Sequence, residues 1–593
     1  MPRPKETGIR RRRWPACTTV AIGREATVDG SVIVGHSDDD VADERVAFVP
    51  AADWPAGAKR PVYYDDCSIG HDPRFNATEL RRYVGPSRGP DYDTKDYPDS
   101  VPLGEIDQVV HTYTYFDSNY GVMNEHQLMI GECTCGAKVH PTPKKDQRIF
   151  YAAELSRVAL ERCTTAREAI RLMGQLIKDH GLYGTGETLI VGDKTEAWVM
   201  EMCGYDEDEE YGEGGLWVAK RVPDDGYFVA ANEFRIRDVD PDSEDMMYSE
   251  NLFRVCEEKG WWSPQSHKPL DWLRAVSWGE YGHPYYSLRR VWRALSTIAP
   301  ELNLPAWPGS GYTRAYPFSV TIPPDRKLSL ADIVAVHRDH YEGTEFDLTR
   351  GIGAGAYGDP TRYEGNADRG LDDDDSVLTE KTSWNLAYYR PKGAWERALS
   401  IFRCGMMWFN QARADLPDPI GGVSWIGLDR PAANCLLPFF VGVSDLPKPM
   451  KTMKLTEFAF DPNPDSDARS AWWPFNYVAN YATMRYAFMI EDIRVAQRRL
   501  EAAAYTMVKD VQGGKGNLDA DTGNHLHDVC NDQMEDVLKA WWDLARTLVV
   551  KYNDGCLTEP KTDTHPEIVM EHIGYPTRAW LKAVGFYDGP TEY

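Results

Sequence analysis

A cysteine stands directly in front of the first apolar run of this chain, and a short basic segment precedes it. Residues 10–23 read RRRRWPACTTVAIG, with Cys17 between four arginines and a strand-like stretch. If the bond between Ala16 and Cys17 were cut, one residue would carry a thiol and an α-amine, with ordinary pKa values of about 8.5 and 7.7–8.0. The amine would then accept the thiol proton near neutral pH, so that Cys17 would supply both nucleophile and base.

A predicted β-hairpin brings acidic residues close to Cys17. Two apolar, β-branched runs flank Asp29-Gly30 in TTVAIGREATVDGSVIVGHSDDD, and Asp-Gly between such runs is a strong hairpin signal. The strand that begins at Cys17 is therefore expected to pair with a strand that returns residues 36–40 to its neighbourhood. A carboxylate there would position the amine of a new N-terminus, while other donors would hold an oxyanion.

The remaining sequence predicts a mixed α+β protein with a helical end. Apolar strand patterns and amphipathic helices follow one another up to about residue 299, and the second helix has a capping box at Thr165-x-x-Glu168 and ends at Gly181. The region of about 41–105 is rich in Pro, Asp and Tyr and is interpreted as a loop layer. Helical periodicity at 469–508 and 528–551 predicts a helical C-terminal part.

Composition limits the classes of partner and compartment. The chain has 593 residues and a net charge of −26, which disfavours nucleic acid and anionic membranes as main partners. Its 11 cysteines lack the paired spacing of a disulfide framework. No apolar run approaches a membrane span, and the leader lacks the apolar region of a secretory signal. We expect a cytoplasmic protein, with export as the alternative.

Metal and cofactor motifs are incomplete. The Gly-rich VQGGKGN lacks the Ser or Thr of a P-loop, and the histidines of HPEIVMEH are seven residues apart instead of four. Cys133 and Cys135 have no second pair at zinc spacing. Consecutive residues of HSDDD on a strand would point to opposite faces, which suits chelation badly. The sequence therefore predicts neither a metal nor a cofactor.

From Cys17 onward the chain resembles a known family, the N-terminal-nucleophile cysteine dipeptidases of the dipeptidase A type. These are relatives of the secernins and, more distantly, of the choloylglycine and penicillin V amidases. The resemblance covers roughly residues 16–590 in the family's order. The matching stretches include ACTTVAIGREATVDGSVIVGHSDDD, GVMNEHQLMIGECT, LWVAKRVPDDGYFVAANEFRIRD, YSLRRVWRAL and PIGGVSWIGLDRPAANCLLPFFVG.

The resemblance implies an α+β fold, the αββα four-layer sandwich of N-terminal-nucleophile hydrolases, with a helical C-terminal extension. The corresponding division is a leader at 1–16, a catalytic domain with insertions at 17–465, and a mainly helical extension packed on the core at 466–593. The resemblance also implies self-cleavage between Ala16 and Cys17. A homo-oligomer is expected.

The same resemblance assigns roles to individual residues. Asp39 is similar in position to the aspartate that orients the nucleophile's amine, Asn232 to an oxyanion-hole asparagine, and Arg290 to a catalytic-pocket arginine. Thr134 falls where amidase relatives carry a second oxyanion asparagine.

Two further residues, His36 and Asn124, are expected in substrate or oxyanion binding. The pair His36-Ser37 stands where many relatives have Arg-Asn, which puts the surroundings of the nucleophile in question.

The resemblance implies a cysteine peptidase that hydrolyses dipeptides or small peptides through Cys17. Two alternatives stay open. One is an amidase on the same fold that acts on N-acyl amino acids or similar amides. The other is a non-catalytic, secernin-like interaction protein that keeps the fold without turnover.

Overall fold

Two antiparallel β-sheets lie face to face at the centre of the computed structural model. The structure describes residues 17–39, 45–64, 85, 88–92, 100–205, 214–277, 279, 284–306, 318–361, 396–452, 469–514, 518–562, 565–573, 578–583 and 585. The strands are β1 Cys17–Ile22, β2 Val32–Asp38, β3 Ala47–Val49, β4 Ala52–Asp53, β5 Lys59–Tyr63, β6 Pro102–Asp107, β7 His111–Thr112, β8 Tyr115–Asp117, β9 Gly121–Asn124, β10 Met129–Cys135, β11 Gly186–Gly192, β12 Ala197–Cys203, β13 Leu216–Val222, β14 Tyr227–Ala230, β15 Asp238–Val239, β16 Met246–Tyr248, β17 Leu270–Asp271, β18 Thr321–Ile322, β19 Met406–Ala412, β20 Val423–Leu428, β21 Leu437–Phe440, β22 Cys556–Thr562 and β23 His565–His572.

Twelve α-helices lie in the described part of the chain. They are α1 Ala152–Arg162, α2 Ala166–His180, α3 Leu252–Glu258, α4 Trp272–Val276, α5 Arg289–Ile298, α6 Leu330–His337, α7 Asp418–Gly421, α8 Lys448–Lys451, α9 Trp472–Ala482, α10 Tyr486–Gly513, α11 Thr522–Lys551 and α12 Arg578–Ala583. None of the helices in the described part of the chain is long and apolar enough to cross a membrane.

The strand that begins at Cys17 is an inner strand of the first sheet. That sheet has the order β18-β14-β1-β2-β19-β20-β21. Within it, Cys17 pairs opposite Asp38 and Thr19 opposite His36. Gly30 has a φ of +75° at the turn, a conformation that glycine adopts without strain. The hairpin predicted from Asp29-Gly30 is confirmed.

The second sheet packs closely against the first. Its order is β16-β13-β12-β11-β10-β9-β8-β3. A Cβ atom on Gly131 of β10 would lie 3.2 Å from both Thr19 Oγ1 and Val34 Cγ1. A Cβ atom on Gly192 would lie 2.8 Å from Val34 Cγ2. The missing side chains let β10 and β11 approach the hairpin that carries Cys17.

The layers are helix, sheet, sheet, helix. Helices α1 and α2 contact the second sheet, while α5, α9, α10 and α11 contact the first. Thr165 accepts a hydrogen bond from the Glu168 N–H in the predicted capping box, and Gly181 ends α2 with a φ of +71°. The predicted αββα arrangement of an α+β protein is confirmed.

One part of the sequence prediction needs correction. Within the region of 41–105 interpreted as a loop layer, the described residues include β3, β4 and β5, and β3 joins the second sheet. The C-terminal part holds α9, α10 and α11 together with a hairpin of β22 and β23. HPEIVMEH is strand β23, in which alternate residues share a face.

Three segments at the borders of the predicted division lie outside the described residues. They are residues 1–16, 40–44 and 453–468. The leader and the border between catalytic domain and extension therefore stay predictions.

Candidate active site around Cys17

Cys17 is buried at the first position of β1, with 2% of its surface exposed. Its Sγ donates a hydrogen bond to Oε2 of Glu132 over 3.2 Å. Its carbonyl oxygen accepts a hydrogen bond from Nη1 of Arg290 over 2.8 Å. The second sheet therefore contacts the thiol, while a helix outside the first sheet holds the backbone of the same residue.

The surroundings of Cys17 keep its thiol protonated. Burial raises the pKa of the thiol well above its ordinary value, and the negative charges of Glu132 and Asp38 raise it further. A thiolate is the nucleophilic form of cysteine. Cys17 consequently needs a base within reach before it can attack a carbonyl.

Glu132 lies in the middle of β10 and is fully buried. Its Oε1 accepts a hydrogen bond from Thr134 Oγ1 over 2.6 Å, and its Oε2 lies 3.5 Å from His36 Nε2. Burial acts to raise the pKa of this carboxyl, but the contacts with His36, Glu187 and Thr134 outweigh burial and lower it. The carboxylate beside the thiol is therefore ionised, and Thr134 orients it.

His36 occupies an aromatic corner next to Glu132. The ring is 2% exposed and lies edge-on to Tyr120 and Trp408, with centroid distances of 6.0 and 5.5 Å. One atom that could bind a metal ion from each of Cys17, His36 and Glu132 lies within 4.8 Å of the other two. Zinc takes such ligands, but the contacts among the three groups account for this spacing without an ion.

Arg290 on α5 is fully buried, and its five N–H bonds reach five protein acceptors. Nε donates to the Tyr286 carbonyl, Nη1 to the Cys17 carbonyl and Thr18 Oγ1, and Nη2 to the Ala231 carbonyl and Asn232 Oδ1. A guanidinium has five N–H donors in a fixed planar fork. Arg290 therefore joins the start of β1 to the end of β14 and touches the backbone of Cys17, not its thiol.

Asn232 follows β14 in a left-handed conformation with a φ of +61°, which asparagine tolerates better than most residues. Its Oδ1 accepts hydrogen bonds from Arg290 Nη2 at 2.9 Å and Arg397 Nη1 at 2.8 Å. Its Nδ2 donates to the Thr134 carbonyl at 2.9 Å. Two guanidinium groups thus fix which end of the amide faces Thr134 on β10.

Asp39 lies just beyond β2 and is fully buried. Its Oδ2 accepts a hydrogen bond from Arg397 Nη2 at 2.5 Å. Burial raises the pKa of this carboxyl, while the positive charges of Arg397 and Arg290 oppose the increase. Since both arginines also bind Asn232, Asp39 is linked to Cys17 through a continuous chain of hydrogen bonds.

Asn124 does not join this group. Its Oδ1 accepts the N–H groups of His126 and Leu128, and its Nδ2 donates to the carbonyls of Leu160 and Cys163. These contacts close a turn against the end of α1. Among the other candidates, Cys17, His36, Asp39, Thr134, Asn232 and Arg290 are brought together, and Ala16 lies outside the described residues.

Glu132 and Arg397 were not among the residues predicted from the sequence. One signal in the sequence could have identified Glu132. It is the single charged residue in an otherwise uncharged strand, and a buried carboxylate needs hydrogen-bond or ion-pair partners. Arg397 gave no signal, because its partner Asp39 lies 358 positions away in the sequence.

Together, the fold and site define a candidate hydrolase: a buried thiol faces a carboxylate, and two arginines orient an amide beside it. The chain belongs to peptidase family C69, whose model matches residues 104–499, more than half of the chain. The protein is therefore a peptidase. The matched segment includes Glu132 and Arg397 and begins after Cys17.

Curated relatives cover most of the chain. It is 24% identical over 436 residues to a probable dipeptidase of Salmonella dublin, which covers 72% of this chain and 81% of that protein. It is 24% identical over 454 residues to a dipeptidase of Bifidobacterium longum, with coverages of 73% and 72%. The solved structure of penicillin V acylase from Agrobacterium tumefaciens matches with 11% identity and a TM-score of 0.26, covering 72% of this chain and 86% of that one.

Proposed function

We propose that this peptidase is a dipeptidase whose nucleophile is the thiol of Cys17, made N-terminal by removal of residues 1–16. The observation that carries the proposal is the buried junction at the start of β1. There the Cys17 thiol donates to Glu132 while Arg290 holds the Cys17 carbonyl and the Asn232 amide. The printed names of the relatives, dipeptidase and probable dipeptidase, support the substrate class.

The α-amine of the processed Cys17 is the proposed base during turnover. An α-amine has an ordinary pKa of about 7.7–8.0, so part of it is unprotonated at neutral pH. It takes the thiol proton as sulfur attacks the carbonyl carbon of the dipeptide. The tetrahedral intermediate collapses to a thioester and an amine product, and water then hydrolyses the thioester.

Asn232 is the proposed oxyanion donor, and the two arginines are positioning residues. Arg290 and Arg397 bind the amide oxygen of Asn232. These two hydrogen bonds prevent the side-chain amide from rotating so that its oxygen and nitrogen exchange places. A fixed N–H donor stabilises a developing oxyanion without reorganising during the reaction. Asp39 fixes Arg397 in turn, through the ion pair between them.

A dipeptidase must reject longer peptides, and recognition of both the free ammonium and the free carboxylate achieves this.

Intact mass and hydrolysis assays test the proposal together. We expect the purified wild-type protein to lack residues 1–16 and to hydrolyse unblocked dipeptides, but not the same dipeptides with an acetylated amine. Cys17→Ala should keep the leader and lose activity, because it removes the nucleophile.

Cys163→Ala is the matched control. Cys163 is also a buried thiol, at the end of α1. Its loss should change neither the removal of residues 1–16 nor the hydrolysis of dipeptides. Hydrolysis of N-acyl amino acids instead of dipeptides would favour the amidase alternative. Retention of the leader together with no labelling of Cys17 by a thiol probe would favour the non-catalytic one.

A further inference from the structure

Removal of the leader needs a base other than the one used in turnover. Before cleavage, the nitrogen of Cys17 is an amide bonded to Ala16 and cannot accept a proton. We propose that Glu132 is the general base of this maturation step and that Thr134 is its positioning residue. The inference rests on the proposed function, because it explains how the nucleophile of that function is produced.

The hydrogen bonds around Glu132 single out this carboxylate. Its Oε2 is the acceptor of the Cys17 thiol at 3.2 Å. Its Oε1 is held by Thr134 Oγ1 at 2.6 Å, which leaves Oε2 turned towards the sulfur. A base must lie within hydrogen-bond reach of the proton that it removes, and Glu132 meets this condition in the chain that still carries residues 1–16.

The other acidic groups near Cys17 are engaged elsewhere. Asp39 Oδ2 accepts from Arg397 at 2.5 Å. Asp38 Oδ2 accepts from Asn119 Nδ2 at 2.7 Å. Both carboxyls act on the thiol through their charge, whereas Glu132 contacts it directly.

The charges around the thiol suit a slow, single reaction. The pKa of the Cys17 thiol is raised by burial and by Glu132 itself, so the thiolate forms only as sulfur attacks. His36 lies 3.5 Å from the same Oε2 and provides a polar neighbour for the carboxyl in either protonation state. A reaction that each molecule performs once tolerates a weaker base than repeated turnover does.

The step balances with one water molecule. The thiol proton moves to Glu132 as Cys17 Sγ bonds to the carbonyl carbon of Ala16, and the bond from that carbon to the Cys17 nitrogen breaks. Glu132 returns the proton to the departing nitrogen, which becomes the α-amine. Water then hydrolyses the thioester, giving a carboxylate on Ala16 and restoring the Cys17 thiol.

The division of roles predicts a difference between maturation and turnover. Once released, the α-amine belongs to the same residue as the thiol and has an ordinary pKa well above that of a carboxylate. Loss of Glu132 should therefore slow maturation much more than it slows hydrolysis of dipeptides.

The test compares Glu132→Gln in two forms of the full chain. In the first form the natural leader is kept, and its loss is followed by intact mass after purification. We expect leader loss at least 100-fold slower than in the wild type, with Glu132→Asp intermediate. In the second form, a recognition sequence for a site-specific protease ends directly before Cys17, so that added protease exposes the amine.

In this second form, Glu132→Gln should lower dipeptide hydrolysis, because Glu132 contacts the nucleophile, but by no more than about tenfold relative to wild type treated in the same way. This loss is smaller than the loss of maturation. The remaining activity also shows that the variant is folded. Glu201→Gln is the matched control, since Glu201 is a buried glutamate on β12 that accepts the N–H groups of Arg235 and Ile236. It should lose its leader at the wild-type rate.

The outcomes separate this inference from the proposed function. Leader loss by Glu132→Gln at the wild-type rate, or equal losses of maturation and turnover, would overturn Glu132 as the maturation base. A wild-type chain that keeps its leader, or that stays inactive after protease exposes Cys17, would instead refute the proposed function.

Discussion

Two fully buried arginines show how differently this fold uses buried charge. Arg157 on α1 donates to both oxygens of Asp117 and to Glu154, as well as to two backbone carbonyls. Arg290 on α5 donates to five neutral acceptors, among them the Cys17 carbonyl and the Asn232 amide oxygen. The first arginine lies in a compensated ion network, while the second has no carboxylate among these partners.

The pKa values of two buried carboxyls, Glu154 near Arg157 and Asp39 in the candidate site, move in opposite directions. Near Arg157, burial acts to raise the pKa of Glu154, but Arg88, Arg60 and Arg157 together hold it far below its ordinary value. In the candidate site, burial lowers the pKa of Arg290 and raises that of Asp39. Removing one partner from a compensated buried ion network destabilises a fold, because the remaining charge loses its counter-ion. Groups with such unfavourable shifts are instead typical of functional sites.

The largest expected difference in kcat is between lysine variants of these two arginines. Arg290→Lys should lower kcat at least 100-fold, because one ammonium cannot hold β1 and β14 together and small misplacements of a nucleophile are costly. Arg157→Lys should instead lower the free energy of unfolding, by about 2–3 kcal/mol, with kcat almost unchanged. Steady-state kinetics and urea denaturation measure both effects, and equal losses of kcat would contradict the comparison.

The next largest difference in kcat is expected between amide variants of two buried carboxylates, Asp39 and Glu154. Asp39→Asn should lower kcat about 10- to 100-fold, because Arg397 loses the partner that orients it against Asn232. Its stability should change little, since a carboxyl whose pKa is raised by burial is costly to keep ionised. Glu154→Gln should leave kcat nearly unchanged and lower the free energy of unfolding by about 3 kcal/mol. If Asp39→Asn proves the less stable of the two, the assignment of the two regions is wrong.

The same carboxylates predict how stability depends on pH. The folded-state pKa of Glu154 is depressed, so its contribution is present above the unfolded pKa of about 4.3 and is lost as the pH falls towards the folded value. The stability difference between wild type and Glu154→Gln should be largest near pH 7 and shrink below about pH 4. Urea midpoints from pH 3 to 7 measure it, and a difference that grows in acid would contradict the sign.

Local signals in the sequence predicted the parts of the molecule that depend on neighbouring residues. The Asp29-Gly30 turn and the Thr165 capping box are fixed within a few positions, and both are confirmed. Glu132 and Arg397 gain their positions from contacts 115 and 358 residues away in sequence. Such contacts follow from how the two sheets pack, which no local pattern contains.

Glu132 and Arg397 were missed from the sequence, whereas Asn124 was wrongly predicted to belong to the site. Its type and its place in a stretch similar to the family made it a candidate for the site, but short-range turn chemistry and the end of α1 use both ends of its amide. An asparagine that satisfies its own turn gives the same sequence signal as one that binds an oxyanion. Only the tertiary structure separates the two.

The smallest expected effect on activity therefore belongs to Asn124→Ala. The substitution removes four hydrogen bonds to backbone groups at the turn and at the end of α1, and buried backbone groups left without partners cost about 1–3 kcal/mol. We expect a lower unfolding midpoint with kcat and KM within about twofold of wild type, since none of these bonds reaches Cys17. Asn232→Ala is the comparison, because it should lower kcat about 100-fold or more as an oxyanion donor is lost. A comparable loss of kcat in both variants would return Asn124 to the active site.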